Sequence, residues 1–200
     1  MKRLSTFLLA LLATLFAFSL PATMDLPTDL KQLAKQSDLV FKGVCKEKRQ
    51  DSIFWPKLGR QVPIIVYRFE VKDAIKGNPS SVVEFKQWAF RSRGEAIQFG
   101  FLAPVSTASF EKEKTYLLFL GELSENGFRS VIGGAGNGVF EVVQEAGQPE
   151  KVVNLGGNRG LFQSISKKSL SKSEINVVQA PPGPVPYSDF VSLVKKVMDH

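Results

Sequence analysis

The chain has a single histidine, and it is the last residue, His200. A Ser–His–Asp relay or a Cys–His pair therefore lacks its ordinary base, and a zinc site built on paired His or Cys lacks its ligands. Serine and lysine are abundant, but no spacing marks out one Ser–Lys nucleophile pair. Gly133-Gly134-Ala135-Gly136-Asn137-Gly138 has the glycine density of a phosphate loop. It lacks the Lys-Ser/Thr that should follow, and Val139 to Val143 reads as strand, so no helix N-terminus would aim amides at a phosphate. A hairpin or bulge is the better reading, and Gly156 to Gly160 reads as a turn. Two carboxylates suffice for glycoside hydrolysis, and Glu70 and Glu84 fall on the wet faces of two expected strands. With Arg68 and Lys86 beside them, they read more simply as exposed cross-strand charges. No run of spaced Asp residues forms a calcium loop. We assign no catalytic residue, no metal ligand and no cofactor, and read the chain as a non-enzyme.

One constellation does carry a binding reading. Phe54, Trp55, Lys57 and Arg60 fall in one expected loop, and Trp88, Phe90, Arg91 and Arg93 fall where a strand ends. Aromatic rings beside cations suit stacking on sugars or bases, and suit the anchors of protein interfaces. The competing reading has the same rings plugging the end of the fold, with the charges at its rim.

The elements that must hold these residues follow from composition and pattern. The chain has 200 residues, 44% hydrophobic and 22% charged, which fits one globular domain. Sixteen Phe against three Tyr point to a core built on phenylalanine. Lys2 and Arg3, the apolar run Phe7 to Leu20 and the stretch Ser19-Leu20-Pro21-Ala22 have the arrangement of a secretory leader. Residues 1–22 are therefore expected to be removed, after Ser19 or Ala22, leaving a secreted or periplasmic protein. The apolar run is shorter than the roughly 20 residues that span a bilayer, so no transmembrane segment is expected in the mature chain. The net charge is +7, falling near +5 without Lys2 and Arg3. That balance favours anionic surfaces only loosely, and nucleic acid is not an expected partner. The lone cysteine, Cys45, permits no internal disulfide and lies in an apolar strand pattern, as a buried thiol would.

Along the chain, Thr28 to Gln36 reads as a short helix capped by Thr28. Asp38 to Lys46 reads as a strand bent at Gly43, Gln50 to Gly59 as a loop, and Gln61 to Ile75 as a long strand. Lys76-Gly77-Asn78-Pro79 is a turn signal, and Ser81 to Trp88 is the next strand. Ala89 to Lys114 is long and irregular. Thr115 to Leu120 is apolar on both faces, as a covered central strand would be. Phe128 to Ile132 and Gly138 to Val143 read as paired strands, with a short one at Lys151 to Leu155. Residues 23–162 form the expected β domain and residues 163–186 a Ser/Lys/Pro-rich linker or strap. Residues 187–200 hold an amphipathic helix from about Asp189 to Met198, capped by Ser188.

Ser37 to Val44, Tyr67 to Gly77 and Lys114 to Leu120, with the Gly133 to Phe140 segment and the closing helix, resemble exported bacterial proteins with a netrin-like domain. This is the OB-type barrel also found in tissue inhibitors of metalloproteinases. The resemblance implies a mainly β fold, a small closed or partly open OB-like, netrin-like barrel with a short N-terminal and a C-terminal helix. It also implies a binding role, as inhibitor or accessory protein of an extracytoplasmic hydrolase. The inhibitors' zinc-chelating N-terminal cysteine and bracing disulfides have no counterpart here, so no functional residue transfers. The expected partner is another extracytoplasmic protein, with an envelope polysaccharide or anionic polymer, or an unrecognised enzymatic activity, as alternatives.

Overall fold

The computed structural model describes residues 29–101 and 107–199. The expected leader, the Thr28 cap and His200 lie outside the described residues.

Asp29, rather than Thr28, caps the first helix, α1 (Leu30–Gln36). Its carboxylate accepts a hydrogen bond from the Gln32 amide at 2.8 Å, and Leu30, Leu33 and Ala34 form the buried face. Two long strands follow, β1 (Leu39–Trp55) and β2 (Arg60–Lys76), paired from Val40↔Lys76 to Trp55↔Arg60. The expected loop over Gln50 to Gly59 is thus mostly strand, and the turn is only Pro56–Leu58 plus Gly59 at φ 61°. Residues 46–52 are polar on both faces, so they carry no hydrophobic alternation to betray a strand. The expected bend is present as a register shift between Lys42 and Gly43. A Cβ at Gly43 would sit 2.8 Å from the Phe41 ring and 2.9 Å from the Glu70 carbonyl, which is why glycine stands there.

β3 (Val82–Trp88) pairs with β2, and β4 (Thr115–Leu120) with the first part of β1. β5 (Val139–Val143), β6 (Lys151–Asn154) and β7 (Val185–Pro186) extend the sheet beyond β4. The protein is mainly β: one antiparallel seven-stranded sheet in the order β3-β2-β1-β4-β5-β6-β7, open at β3 and β7, with short helices towards both chain ends.

Alternation along β1 and β4 divides the interior in two. Leu39 and Phe41 of β1, with Tyr116, Leu118 and Leu120 of β4, face an aromatic core containing Cys45, Tyr67, Phe69, Phe85 and Phe110. Val40, Leu117 and Phe119 face the opposite side, towards α1 and the C-terminal helix. In the aromatic core Phe69 stacks on Phe85 with centroids 5.8 Å apart and meets Phe110 edge-on at 5.2 Å. Ala108 and Phe110, from the stretch expected to be irregular, close this core.

The chain between β4 and β5 differs from expectation. Phe128 and Val131 do not pair with β5; each makes an isolated bridge, Phe128 to Lys86 of β3 and Val131 to Leu120 of β4. Lys86 N–H donates to Gly127 O at 2.9 Å, and Gly121 N–H to Ser130 O at 2.9 Å. Gly134–Asn137 forms one helical turn, α3 after the short helix α2 (Arg93–Gln98) that lies hidden in the irregular stretch. Gly133 and Gly134 take φ 71° and 70°, and Gly138 answers to crowding, since a Cβ there would lie 1.9 Å from the Ile132 carbonyl oxygen.

The expected strap over residues 163–186 is not extended throughout. It contains α4 (Lys172–Gln179), begun by Ser171 and Glu174 in a reciprocal capping box. The last helix, α5 (Tyr187–Met198), starts before the expected Ser188 cap, directly after Pro186. The fixed φ of Pro186 leads into the helix without a side-chain cap. α5 buries Phe190, Val191, Leu193, Val194 and Val197 against the sheet.

Candidate functional site

The β1–β2 hairpin outruns its neighbours. β4 leaves β1 at Val44↔Thr115, and β3 leaves β2 at Ile64↔Trp88, so residues 52–55 and 60–63 continue as a two-stranded arm. Rings gather where β3 ends beside this arm. Trp55 meets Trp88 edge-on, centroids 5.1 Å apart. Trp88 stacks on Phe90 at 5.9 Å, and lies 4.7 Å from Phe101 and 4.3 Å from Phe128. Phe90 in turn lies 5.5 Å from Phe99 and 4.9 Å from Phe101. The Arg60 guanidinium sits 4.1 Å over the Phe99 ring and donates to the Gln98 carbonyl. All six rings are half-buried. Val62, Ile64 and Val66, which share their strand face with Trp88's partner position, are buried and belong to neither core.

Local chemistry explains the assembly. Outward positions of β2 and β3 alternate as Val62, Ile64 and Val66 against Lys86 and Trp88, an apolar strip on the outer sheet face that water would otherwise wet. α2 covers it. Ser92 caps α2 by accepting from the Glu95 amide at 3.1 Å, and Ala96 is its buried residue. The Phe101 N–H returns to the Ala96 carbonyl at 2.9 Å, which holds Phe99 and Phe101 beside Trp88 and Phe90.

Of the residues singled out from sequence, Trp55, Arg60, Trp88 and Phe90 come together. Phe54 alternates to the other strand face and is 54% exposed. Lys57 projects from the turn, Arg91 pairs with Glu95 at 3.1 Å, and Arg93 opens α2 in solvent. Phe99, Phe101 and Phe128 complete the cluster but were not singled out. They sit in irregular chain, where no periodicity marks them; their only signal is aromatic density.

Two polar networks lie elsewhere. The buried Glu174 carboxylate accepts from Lys196 Nζ and Ser192 Oγ, both at 2.6 Å, and from the Ser171 amide. The Lys196 and Ser192 bonds hold its carboxyl at about 2. On the sheet, Tyr187 donates to Asp73 at 2.6 Å, while Lys42 pairs with Glu150 at 2.8 Å and lies over the Tyr187 ring. Burial and the Asp73 carboxylate keep the Tyr187 phenol protonated far above its ordinary range. Each network ties α5 to what it packs on. The carboxylates weighed for acid–base work are occupied as exposed charges: Glu84 stands opposite Arg68, and Glu70 accepts from Lys72 of its own strand and lies 3.9 Å from Lys46 of β1. A cleft of about 430 Å³ lined by Asp38, Glu84, Leu123 and Arg129 lies at the far end of the hairpin from the rings.

No family model matches the chain, and no curated protein matches it. Among the described residues no helix is long and apolar enough to cross a membrane.

Proposed function

We propose that this chain is a non-enzymatic binding module of the cell exterior that grips a protein partner through the ring cluster around Trp88. The carrying observation is the cluster itself. Six half-buried rings with Arg60 stacked on one of them are gathered at one end of the sheet. Trp and Arg are enriched among the anchors of protein interfaces, Trp because its large rigid ring buries much surface at little cost in rotamer freedom and Arg because it stacks and donates several hydrogen bonds.

The reading includes an OB-type, netrin-like barrel. It is supported by a circuit of backbone hydrogen bonds. β1 bonds β2 and β4, β2 bonds β3, and the 127–132 segment bonds both β3 and β4 around the aromatic core. OB-type barrels bind through their loops and an adjoining strand face, which is where the rings lie. Export rests on the N-terminal leader pattern of residues 1–22. The partner class we favour is an extracytoplasmic hydrolase, with this chain as its inhibitor or accessory subunit.

The test is cross-linking of the processed protein in an extracytoplasmic extract of its own host, with Trp55→Ala/Phe90→Ala as control. One dominant protein, lost in the variant, is expected; if it is a hydrolase, inhibition is assayed next. Equal capture by the variant, or no specific capture, overturns the reading. Retention on an anionic polysaccharide that falls with salt and with Arg91→Ala/Arg93→Ala would instead support the polymer alternative.

A further inference from the structure

The residues left outside the ring cluster have a pattern of their own. Phe54 is 54% and Ile97 48% exposed, among the largest exposed apolar side chains of the described residues. Each stands beside a cation: Phe54 near Lys57 at the arm's tip, and Ile97 one helical turn from Arg93 on the wet face of α2. The two tips are neighbours. Arg60 of the arm bonds the Gln98 carbonyl and covers Phe99, and a Cβ at Gly100 would lie 3.6 Å from the Leu58 side chain.

We propose that the arm tip and the exposed face of α2 together dock into the interface of an anionic phospholipid bilayer. This goes beyond the partner-binding reading, and its Phe54, Lys57, Arg93 and Ile97 lie outside the ring cluster. Charge commits the surface to this occupant. Lys57 and Arg93 stand at the two tips with Arg60 beside them over the Phe99 ring, while Arg91 and Glu95 bond each other and offset in charge. Asp51, next along the arm, pairs with Arg49 at 2.6 Å. Phe and Ile side chains enter the boundary between headgroups and acyl chains, while Lys and Arg stay at phosphate level on their flexible stems. Trp55 and Trp88 stand behind the tips as interfacial rings do. The arm projects by about 13 Å, at roughly 3.3 Å per residue, enough to reach through a headgroup layer without burying the sheet.

The protein has two tryptophans, and both lie in this region, so tryptophan emission, excited apart from the tyrosines, reports on it alone. The experiment titrates the processed protein, its N-terminus read by mass spectrometry, with vesicles of equal phosphatidylcholine and phosphatidylglycerol. It follows Trp emission and co-sedimentation. A blue shift and co-sedimentation are expected, with affinity about tenfold or more weaker on pure phosphatidylcholine and in high salt. Phe54→Ser/Ile97→Ser should lose about tenfold or more in affinity at an unchanged thermal midpoint, since both side chains are on the surface. Absence of binding to anionic vesicles, or equal binding by the variant, overturns the proposal. The variant keeps the ring cluster, so its capture of a protein partner should persist. Vesicle binding lost with capture intact therefore concerns the membrane, and capture lost with vesicle binding intact concerns the partner.

Discussion

Trp55 and Trp88 come from strands that are not neighbours in the sheet, yet their indoles meet edge to face at 5.1 Å across β2. Trp88 is the centre of the cluster, touching Trp55, Phe90, Phe101 and Phe128, whereas Trp55 contacts only Trp88 and Phe128 among the rings. Trp88→Ala should therefore destabilise the fold by about 2–4 kcal/mol and Trp55→Ala by about 1–2 kcal/mol. A double-mutant cycle in urea should give a coupling of about 0.5–1.5 kcal/mol between them. Strict additivity would mean that the two rings do not stabilise each other.

The Lys-Gly turn has a structural task. Lys76 Nζ donates to the carbonyls of Ala34 at 2.8 Å and Ser37 at 2.5 Å, closing the C-terminal end of α1 with a cation. Gly77 takes φ 76°, and a Cβ there would lie 3.0 Å from the Asp38 carbonyl. Lys76→Met should cost about 1–3 kcal/mol, and Gly77→Ala about 1–2 kcal/mol through the left-handed backbone. Chemical denaturation measures both; a neutral Lys76→Met would show the cap to be redundant.

Acid should loosen the C-terminal helices first. The Glu174 carboxyl is held at about 2 against an ordinary 4.5, chiefly by the Lys196 hydrogen bond. Its contribution is fully present above pH 4.5 and is lost as pH falls towards 2, because the unfolded chain takes up the proton first. Glu174→Gln should remove that acid limb and cost about 1–3 kcal/mol at neutral pH, Lys196 being free to turn to water. Stability measured from pH 6 to pH 2 in both proteins checks this, and parallel curves would count against it.

Cys45 is fully buried in the aromatic core, and burial raises its thiol above the ordinary range. It should resist alkylation at pH 8 in the native protein and react promptly in denaturant. Rapid native labelling would place the thiol at the surface. Cys45→Ser should cost about 1–3 kcal/mol, by putting a hydroxyl where apolar atoms pack.

How far the sequence foretells this molecule depends on what each segment buries. β4 is legible to the residue, because Thr115 to Leu120 is apolar on both faces and both faces are covered. β2 shows through the alternation around Tyr67 and Phe69. The outer half of β1 does not, because Lys46 to Ser52 bury nothing; the backbone pairing that makes it a strand is set by β2, a long-range partner. α4 was open to detection: Ser171 and Glu174 have the spacing of a capping box, with Val177 on the buried face. Its Ser- and Lys-rich surroundings masked it as a strap. In the site, Trp55, Arg60, Trp88 and Phe90 could be named because aromatic and cationic residues cluster near strand ends. Phe99, Phe101 and Phe128 could not, since α2 and the 127–132 bridge bring them in from irregular chain.

β1 and β4 each serve two interiors at once, with Val40 turned to the helices and its neighbours Leu39 and Phe41 turned to the rings. Deleting one residue within Leu39 to Phe41 would hand each interior the side chains fitted to the other, a phenylalanine where a valine belongs and the reverse. Point substitutions there can be absorbed by local repacking, but a frame slip damages both halves in one step. This short stretch is therefore where the chain should tolerate changes of residue type far better than changes of length.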